Sequence, residues 1–389
     1  MKILITVHSY YPRKDGVSVI TQYLAEGLAM RGNQVKVITA SHKGYKKYET
    51  HHGLSIQRIN FRTRFGICFG NKSQYRELIQ KETDWADVMI NVCTQNAFTD
   101  VILKNIDNYK CKKMLYMHGM FDFKLRAIYF GSFAGTINKL WKEVRWFSYY
   151  AFNGKYFKKY DSVVQLHEKD NGNLFFEKKY GINSIIIGNA ADDIFFEHKD
   201  LTKFKKPFDK YIIVVANYGD QKNQKLAIKE FLKSSIDPKI GLVLIGSEKN
   251  SYYDYLEHFT LHERNKMNLG NDEKPVLQLF GVNRDTIVSY ISNAYLSLLT
   301  SKCEVFPVSI IESIVSEVPY ICTDVGIVKY LPGGLVSKKK EIHCLIEKMM
   351  NDSKYYQYWV DQCRQQKDHY KIDCKVDALE KELKRILKQ

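Results

Sequence analysis

The first forty residues restrict the fold more than any other stretch. Lys2–Val7 is a short apolar run, the pattern of a buried strand. The loop Ser9–Gly16 follows, punctuated by Pro12 and Gly16. From Val17 to Arg31, Ile20, Leu24, Gly27/Leu28 and Arg31 recur at helical spacing, and Gly32-Asn33 stops the pattern. Gln34–Ala40, QVKVITA, reads as a second strand. Strand, helix and strand in so short a stretch argue for a parallel, doubly wound sheet.

The alternation continues. Asp87–Val92, Lys113–Met117, Ser162–Gln165 and Ser184–Ile187 are further short apolar runs, and Asn189–Phe196 reads as an irregular connection. A second alternation begins with the strand Tyr211–Ala216, the helix Gln224–Ser234 and the strand Gly241–Ile245. Val276–Phe280, Ala294–Leu299 and Tyr320–Thr323 complete it, and Val376–Lys388 is a charged amphipathic helix. The pattern predicts two α/β halves joined near residues 190–208, with no sequence repeat between them. A chain of 389 residues suits two domains and buries a core without staples.

Net charge is +16, and it is unevenly spread. Lys104–Lys159 holds 12 Lys or Arg against three acids, a net +9 in 56 residues. Such an excess points to an anionic partner. The stretch Phe121–Tyr160 adds many aromatics. On a helical reading Ile137, Leu140, Trp141, Val144 and Ser148 share a face, with Lys139, Lys142, Glu143 and Arg145 pointing more outward. Two readings stay open: a basic amphipathic helix lying on an anionic membrane surface, or a core-packed helix with a solvated basic face. Nucleic acid is not an expected partner, since basic charge is all that would support it. The eight cysteines form no CxxC pair and no zinc spacing, which fits a reducing compartment. No run of about 18 apolar residues exists to span a membrane, and the opening reads as too short for a signal peptide. The expectation is a cytoplasmic protein, peripheral on the inner face of the plasma membrane if the basic segment docks.

Three strand-to-helix junctions are candidate sites, because open α/β sheets bind ligands at the carboxyl ends of their strands. In Ser9–Gly16, Gly16 lets backbone N–H groups approach an anion; a plain turn glycine is the alternative. No GxGxxG is present, which disfavours a dinucleotide site and so a dehydrogenase. In Ala216–Asn223, Lys222 stands just ahead of a helix and can hold a phosphate; a solvated surface lysine is the alternative. The third junction is Ser301-Lys-Cys-Glu304-Val-Phe-Pro-Val-Ser-Ile-Ile-Glu312. Phe306-Pro307 reads as a turn opening a helix. Glu312 lies in that helix among Ile310, Ile311, Ile314 and Val315, where a carboxylate needs a hydrogen-bonding partner. A sugar diol donates two such bonds. Glu304, in the loop, can reach a second hydroxylated ring. A capping acid plus a buried structural acid is the alternative.

Glu304-x7-Glu312 followed by EVPYICTDVG resembles the C-terminal signature of family 4 of the retaining glycosyltransferases (glycosyl transferases group 1). The opening residues 2–39, Met117-His118-Gly119, Ile187-Gly-Asn-Ala-Ala-Asp192, VVANYGDQKNQ and LFGVNRDTIVSYISNAY are similar to further elements of that family, in order. The resemblance implies the GT-B fold, two Rossmann-like doubly wound domains facing a central cleft. It implies an acceptor-binding domain over 1–200, a nucleotide-sugar-binding domain over 201–365, and a C-terminal helix over 366–389 crossing back to the first domain. By resemblance, Glu304 contacts the donor sugar and Glu312 the ribose. Phe306, Pro307, Val308, Ser309 and Lys222 hold the diphosphate, Gly16 approaches it, His118 lies near the reacting carbon, and the Val282 backbone meets the base. The implied partners are a UDP- or GDP-linked sugar and a lipid-linked or polysaccharide acceptor, with no metal and no cofactor. Two positions depart from the family pattern. Asp15-Gly16 stands where two glycines are common, and Asn217 stands where an arginine is usual. A non-catalytic nucleotide-sugar-binding protein, or another GT-B enzyme such as an epimerase or phosphorylase, remains an alternative.

Overall fold

Each apolar run read as a strand is one, because a short aliphatic run covered on both faces of a sheet has no polar stripe to present to water. The computed structural model describes residues 1–13, 15–64, 67–120, 133–197, 204–270, 272–337 and 341–389. It divides into two units, Met1–Gly188 with Asp373–Gln389, and Asn189–Ile372.

In the first unit, β1 (Lys2–Thr6), α1 (Gly16–Met30) and β2 (Gln34–Ala40) form the opening motif. The hairpin of β3 (Tyr48–His51) and β4 (Leu54–Ile59) comes next, then the short ladder of β5 (Arg62–Arg64) and β6 (Ile67–Phe69). The chain continues through α2 (Lys72–Trp85), β7 (Val88–Val92), α3 (Ala97–Leu103) and β8 (Lys112–Tyr116). α4 (Phe133–Phe157), β9 (Ser162–Gln165), α5 (Asn171–Tyr180) and β10 (Ile185–Ile186) follow. The large sheet has the order β10-β9-β8-β7-β1-β2-β4-β3, parallel except for the edge strand β3. Strand order therefore reverses between β1 and β7.

The second unit contains β11 (Tyr211–Val215), α6 (Gln224–Lys233), β12 (Gly241–Gly246), α7 (Ser251–Lys266), β13 (Val276–Phe280) and α8 (Arg284–Ser292). β14 (Leu296–Leu299), α9 (Val308–Val315), β15 (Tyr320–Thr323), β16 (Gly334–Ser337), α10 (Ile342–Asn351) and α11 (Ser353–Gln366) complete it. Its parallel sheet has the order β13-β12-β11-β14-β15-β16, the doubly wound arrangement whose reversal, here between β11 and β14, is where ligands bind.

The last helix, α12 (Ile372–Leu387), packs almost entirely within the first unit. Gly27 of α1 permits the approach, since a Cβ there would lie 2.5 Å from Val376 Cγ2. Arg31 pairs with Asp377 at 2.5 Å, and Ser162 donates to Glu382 at 2.6 Å.

α4 packs on the core through a face other than the one marked by Ile137, Leu140, Trp141 and Val144. Its packed face is Trp146, Tyr149, Tyr150 and Phe157, which join the core around Phe98 and Phe176. Ile137, Leu140, Trp141 and Val144 are 52%, 47%, 65% and 59% exposed, and Phe147 and Phe152 are more than half exposed. Of the two readings open for this segment, the core-packed apolar face is not what forms: that face is turned to solvent, because the four aromatics one step round the helix fill the available core. Residues 121–132 of the basic aromatic stretch lie outside the described residues. Among the described residues, no helix is long and apolar enough to cross a membrane.

The second unit's core gathers Ile212, Val214, Ile228, Phe231, Leu242 and Leu296. Phe231 is fully buried. Phe231→Ala should cost about 3–5 kcal/mol through lost burial and a residual cavity, read as a lower denaturant midpoint for this unit.

Candidate functional site

Two loops leave the carboxyl ends of the adjacent strands β11 and β14, and they are sewn together. Lys302 donates its N–H to the Gln221 carbonyl at 2.8 Å. The hydroxyl of buried Thr300 donates to the Asn223 carbonyl at 3.0 Å, and Asn223 Nδ2 returns a bond to the Thr300 carbonyl at 3.2 Å. Lys302 Nζ and Asp220 pair at 2.6 Å. Asn223 adopts a left-handed φ of 54°, which ends the turn and starts α6. This fixed frame carries two predicted site residues into contact: Lys222 Nζ lies 2.6 Å from Glu304 Oε1. Glu304 is mostly shielded, with 13% of its side chain exposed. The ammonium is therefore held at the junction by a carboxylate, ready to exchange that partner for another anion.

The chain next turns into α9 with Pro307 at the cap and no side chain capping the end. The N–H groups at that end are thus available to an anion. The loop's path is fixed from two sides. Asn189 Nδ2 donates to the Phe306 carbonyl at 3.0 Å. Gly326 has a φ of +54°, and a Cβ on it would fall 2.2 Å from the Val305 carbonyl oxygen. Only glycine lets the 326 backbone come that close, which gives the glycine of DVG a packing reason.

Glu312 is buried on α9 at 4% exposure. Its partner is a residue to which the sequence reading assigned no role. Arg284, in the first turn of α8, reaches Glu312 Oε1 at 2.5 Å and Asp192 Oδ2 at 3.4 Å. No sequence spacing links residues 192, 284 and 312; only the packing of α8 beside α9 joins them. Burial pushes the Glu312 carboxyl above its ordinary range, and Arg284 pulls it back. Asn217 is exposed in the loop after β11, and Val282 is half-buried after β13.

Gly16 and His118 belong to the first unit. Gly16 opens α1 behind the cap Asp15, which accepts from the Ser18 N–H. A Cβ on Gly16 would meet nothing within 4 Å, so local packing does not require a glycine there. His118 follows β8, and its Nε2 is buried without a hydrogen-bond partner. Burial lowers its pKa to about 4, against a smaller raising effect of Asp15. It is a neutral imidazole at physiological pH, with one ring nitrogen left for a ligand.

Because burial raises the Glu312 carboxyl, the folded chain holds that proton more tightly than the unfolded chain. This contribution to stability falls as pH rises from the ordinary carboxylate value through the raised one. Arg284→Ala removes the compensating charge and widens that window. The variant should lose about 3 kcal/mol at pH 8, and the loss should shrink as pH falls and Glu312 takes up its proton; denaturant unfolding across a pH series checks this.

Known proteins match this architecture. The model for glycosyl transferases group 1 matches residues 195–366, and that for Glycosyltransferase Family 4 matches residues 14–164. No curated protein matches by sequence. Among solved structures, the chain is similar to sucrose-phosphate synthase from Thermosynechococcus elongatus, with a TM-score of 0.73, 12% identity, and 99% of this chain and 98% of that one covered. It is similar to Anabaena HepE in complex with UDP-glucose, at a TM-score of 0.70 and 14% identity, covering 99% and 100%. It is also similar to WaaG, a glycosyltransferase involved in lipopolysaccharide biosynthesis, at 0.68 and 14%, covering 99% of each chain. These likenesses establish the GT-B fold. With that fold, and with both models matched in order along its length, the chain belongs to family 4 of the glycosyltransferases and is a glycosyltransferase.

Proposed function

We propose that this glycosyltransferase moves a sugar, with retention at the anomeric carbon, from a nucleotide diphosphate to a lipid-linked or polysaccharide acceptor in cell-surface glycan synthesis. The observation that carries the reading is the Lys222–Glu304 pair at 2.6 Å beside the open end of α9. In this reading the donor diphosphate takes Lys222 from Glu304 and accepts from the α9 N–H groups of Val308 and Ser309. Glu304, freed, turns to the sugar hydroxyls. Glu312, oriented by Arg284, accepts from the ribose, and the neutral His118 keeps the role that the family resemblance implies for it. Transfer breaks the bond from the anomeric carbon to phosphate and forms one to the acceptor oxygen, whose proton leaves with the phosphate. Lys222 and the helix-end amides stabilise the departing diphosphate, so no metal is assigned to the donor. A UDP-linked sugar is the first candidate, because HepE is similar in fold and its structure holds UDP-glucose; a GDP-linked sugar is the second.

The absent arginine at Asn217 leaves Lys222 with most of the phosphate charge. Lys222→Ala should therefore lower turnover by about 10²–10³-fold with the fold intact by circular dichroism. Near-normal turnover in this variant would overturn the reading.

The acceptor side rests on α4. Exposed Trp141, Val144, Phe147 and Phe152 share a helix with Lys142 and Lys155. An apolar strip on a helix that also carries lysines suits the headgroup boundary of an anionic bilayer, which supports a peripheral position on the inner face of the plasma membrane. Flotation with vesicles rich in anionic lipid should recover the protein at low salt and release it at high salt. Trp141→Glu with Phe147→Glu should abolish recovery; failure of the wild-type protein to float would remove membrane docking.

A further inference from the structure

The sequence shows only an adjacent histidine pair, His51-His52, because the third donor comes from a segment 25 residues away. The fold gathers them in the first unit. Glu26 lies on α1, His51 ends β3, and His52 begins the turn into β4. Glu26 Oε2 is 2.7 Å from His52 Nδ1, and Glu26 Oε1 is 3.7 Å from His51 Nε2. One donor atom from each of the three lies within 4.8 Å of the others.

The backbone is arranged to present these rings. His51 pairs with Leu54 across the hairpin, so the turn has two residues. His52 has a φ of 45° and Gly53 a φ of 79°. A two-residue turn with both residues left-handed favours Asn or Asp at its first position. A histidine there turns its Nδ1 back onto Glu26. The two imidazoles stack at 4.0 Å and 18°, and Tyr11 stacks on His51 at 3.7 Å and 19°. Stacked rings aim their in-plane lone pairs along near-parallel planes, so sharing one ion requires the more exposed His52 ring to rotate out of the stack while Tyr11 keeps His51 in place.

Two imidazoles and a carboxylate suit a divalent transition ion, with a fourth position left for water. Bonds of about 2.1 Å at tetrahedral angles set donors roughly 3.4 Å apart. The Glu26–histidine separations lie to either side of that value, so rotation of the exposed His52 ring with side-chain shifts of about 1 Å closes the set. Glu26 and His51 are shielded, with 15% and 18% of their side chains exposed, while His52 is 58% exposed and opens the way in.

We propose that Glu26, His51 and His52 bind a zinc-class divalent ion that staples α1 to the β3–β4 turn. Through Tyr11 the same staple steadies the Ser9–Gly16 loop, which leaves β1 at the first unit's switch point. The proposal is independent of the donor assignment.

The full-length protein, stripped with a chelator and dialysed, is titrated with Zn²⁺ against a chromophoric competitor. One equivalent should bind with a Kd in the micromolar range or tighter. Co²⁺ in its place should give d–d bands without a sulfur charge-transfer band, which separates this site from binding at the exposed Cys344 and Cys374. Zinc at a hundredfold excess over Kd should raise Tm by several degrees. His52→Asn keeps a residue suited to the turn, and Glu26→Gln keeps the side-chain shape; each should weaken binding at least tenfold and remove the Tm shift. Binding no tighter than millimolar, a sulfur-ligated Co²⁺ spectrum, or unchanged affinity in either variant would overturn the site.

Discussion

Parallel pairing is the constraint from which the rest follows. A parallel strand cannot return by a tight turn, so each connection must cross a face of the sheet and re-enter at the same end. Where strand order reverses, successive crossings go to opposite faces and their loops part. The second unit reverses between β11 and β14, and the loops bearing Lys222 and Glu304 leave those two strands. The carboxyl end of the switch point supplies the place, and the hydrogen bonds between Thr300, Asn223, Lys302 and Gln221 supply the rigidity. A site held on strand ends by such lacing does not have to be assembled by its ligand.

The same region handles charge by pairing. Lys222 with Glu304, and Arg284 with Glu312, each put a cation against a shielded carboxylate. A buried acid without such a partner would neutralise itself by taking up a proton. The two pairs differ in exposure. Glu312 is almost wholly buried and Arg284 braces it, which favours a fixed acceptor geometry. Lys222 is 32% exposed and can release its carboxylate at modest cost. On the proposed reading this separates a static contact to ribose from an exchangeable contact to phosphate.

Much of the fold was legible, because short buried strands leave apolar runs that read unambiguously once helices intervene. The strands at residues 2, 34, 211, 241 and 320 start where the apolar runs do. The β3–β4 hairpin was not legible: YETH is polar, and its turn is His-Gly rather than Asn-Gly. The helix α4 was seen in sequence but which face it buries was left open, since two apolar stripes compete on it and only the surrounding aromatics decide which is covered. In the site, Lys222, Glu304 and Glu312 stand out by position near helix starts. Arg284 and Asp192 do not, because an ion pair between residues 192, 284 and 312 leaves no trace in spacing.

The sequence by itself determined the parallel α/β class, the order of its strands along the chain and the residues with chemistry to offer. Those depend on local periodicity and on which side chains follow which strand. Tertiary structure alone decided that Lys222 meets Glu304, that Arg284 holds Glu312, that Gly326 must lack a side chain, and that Glu26 joins two histidines. Each of these is a contact between segments distant along the chain, and such contacts exist only once packing has chosen which surfaces meet.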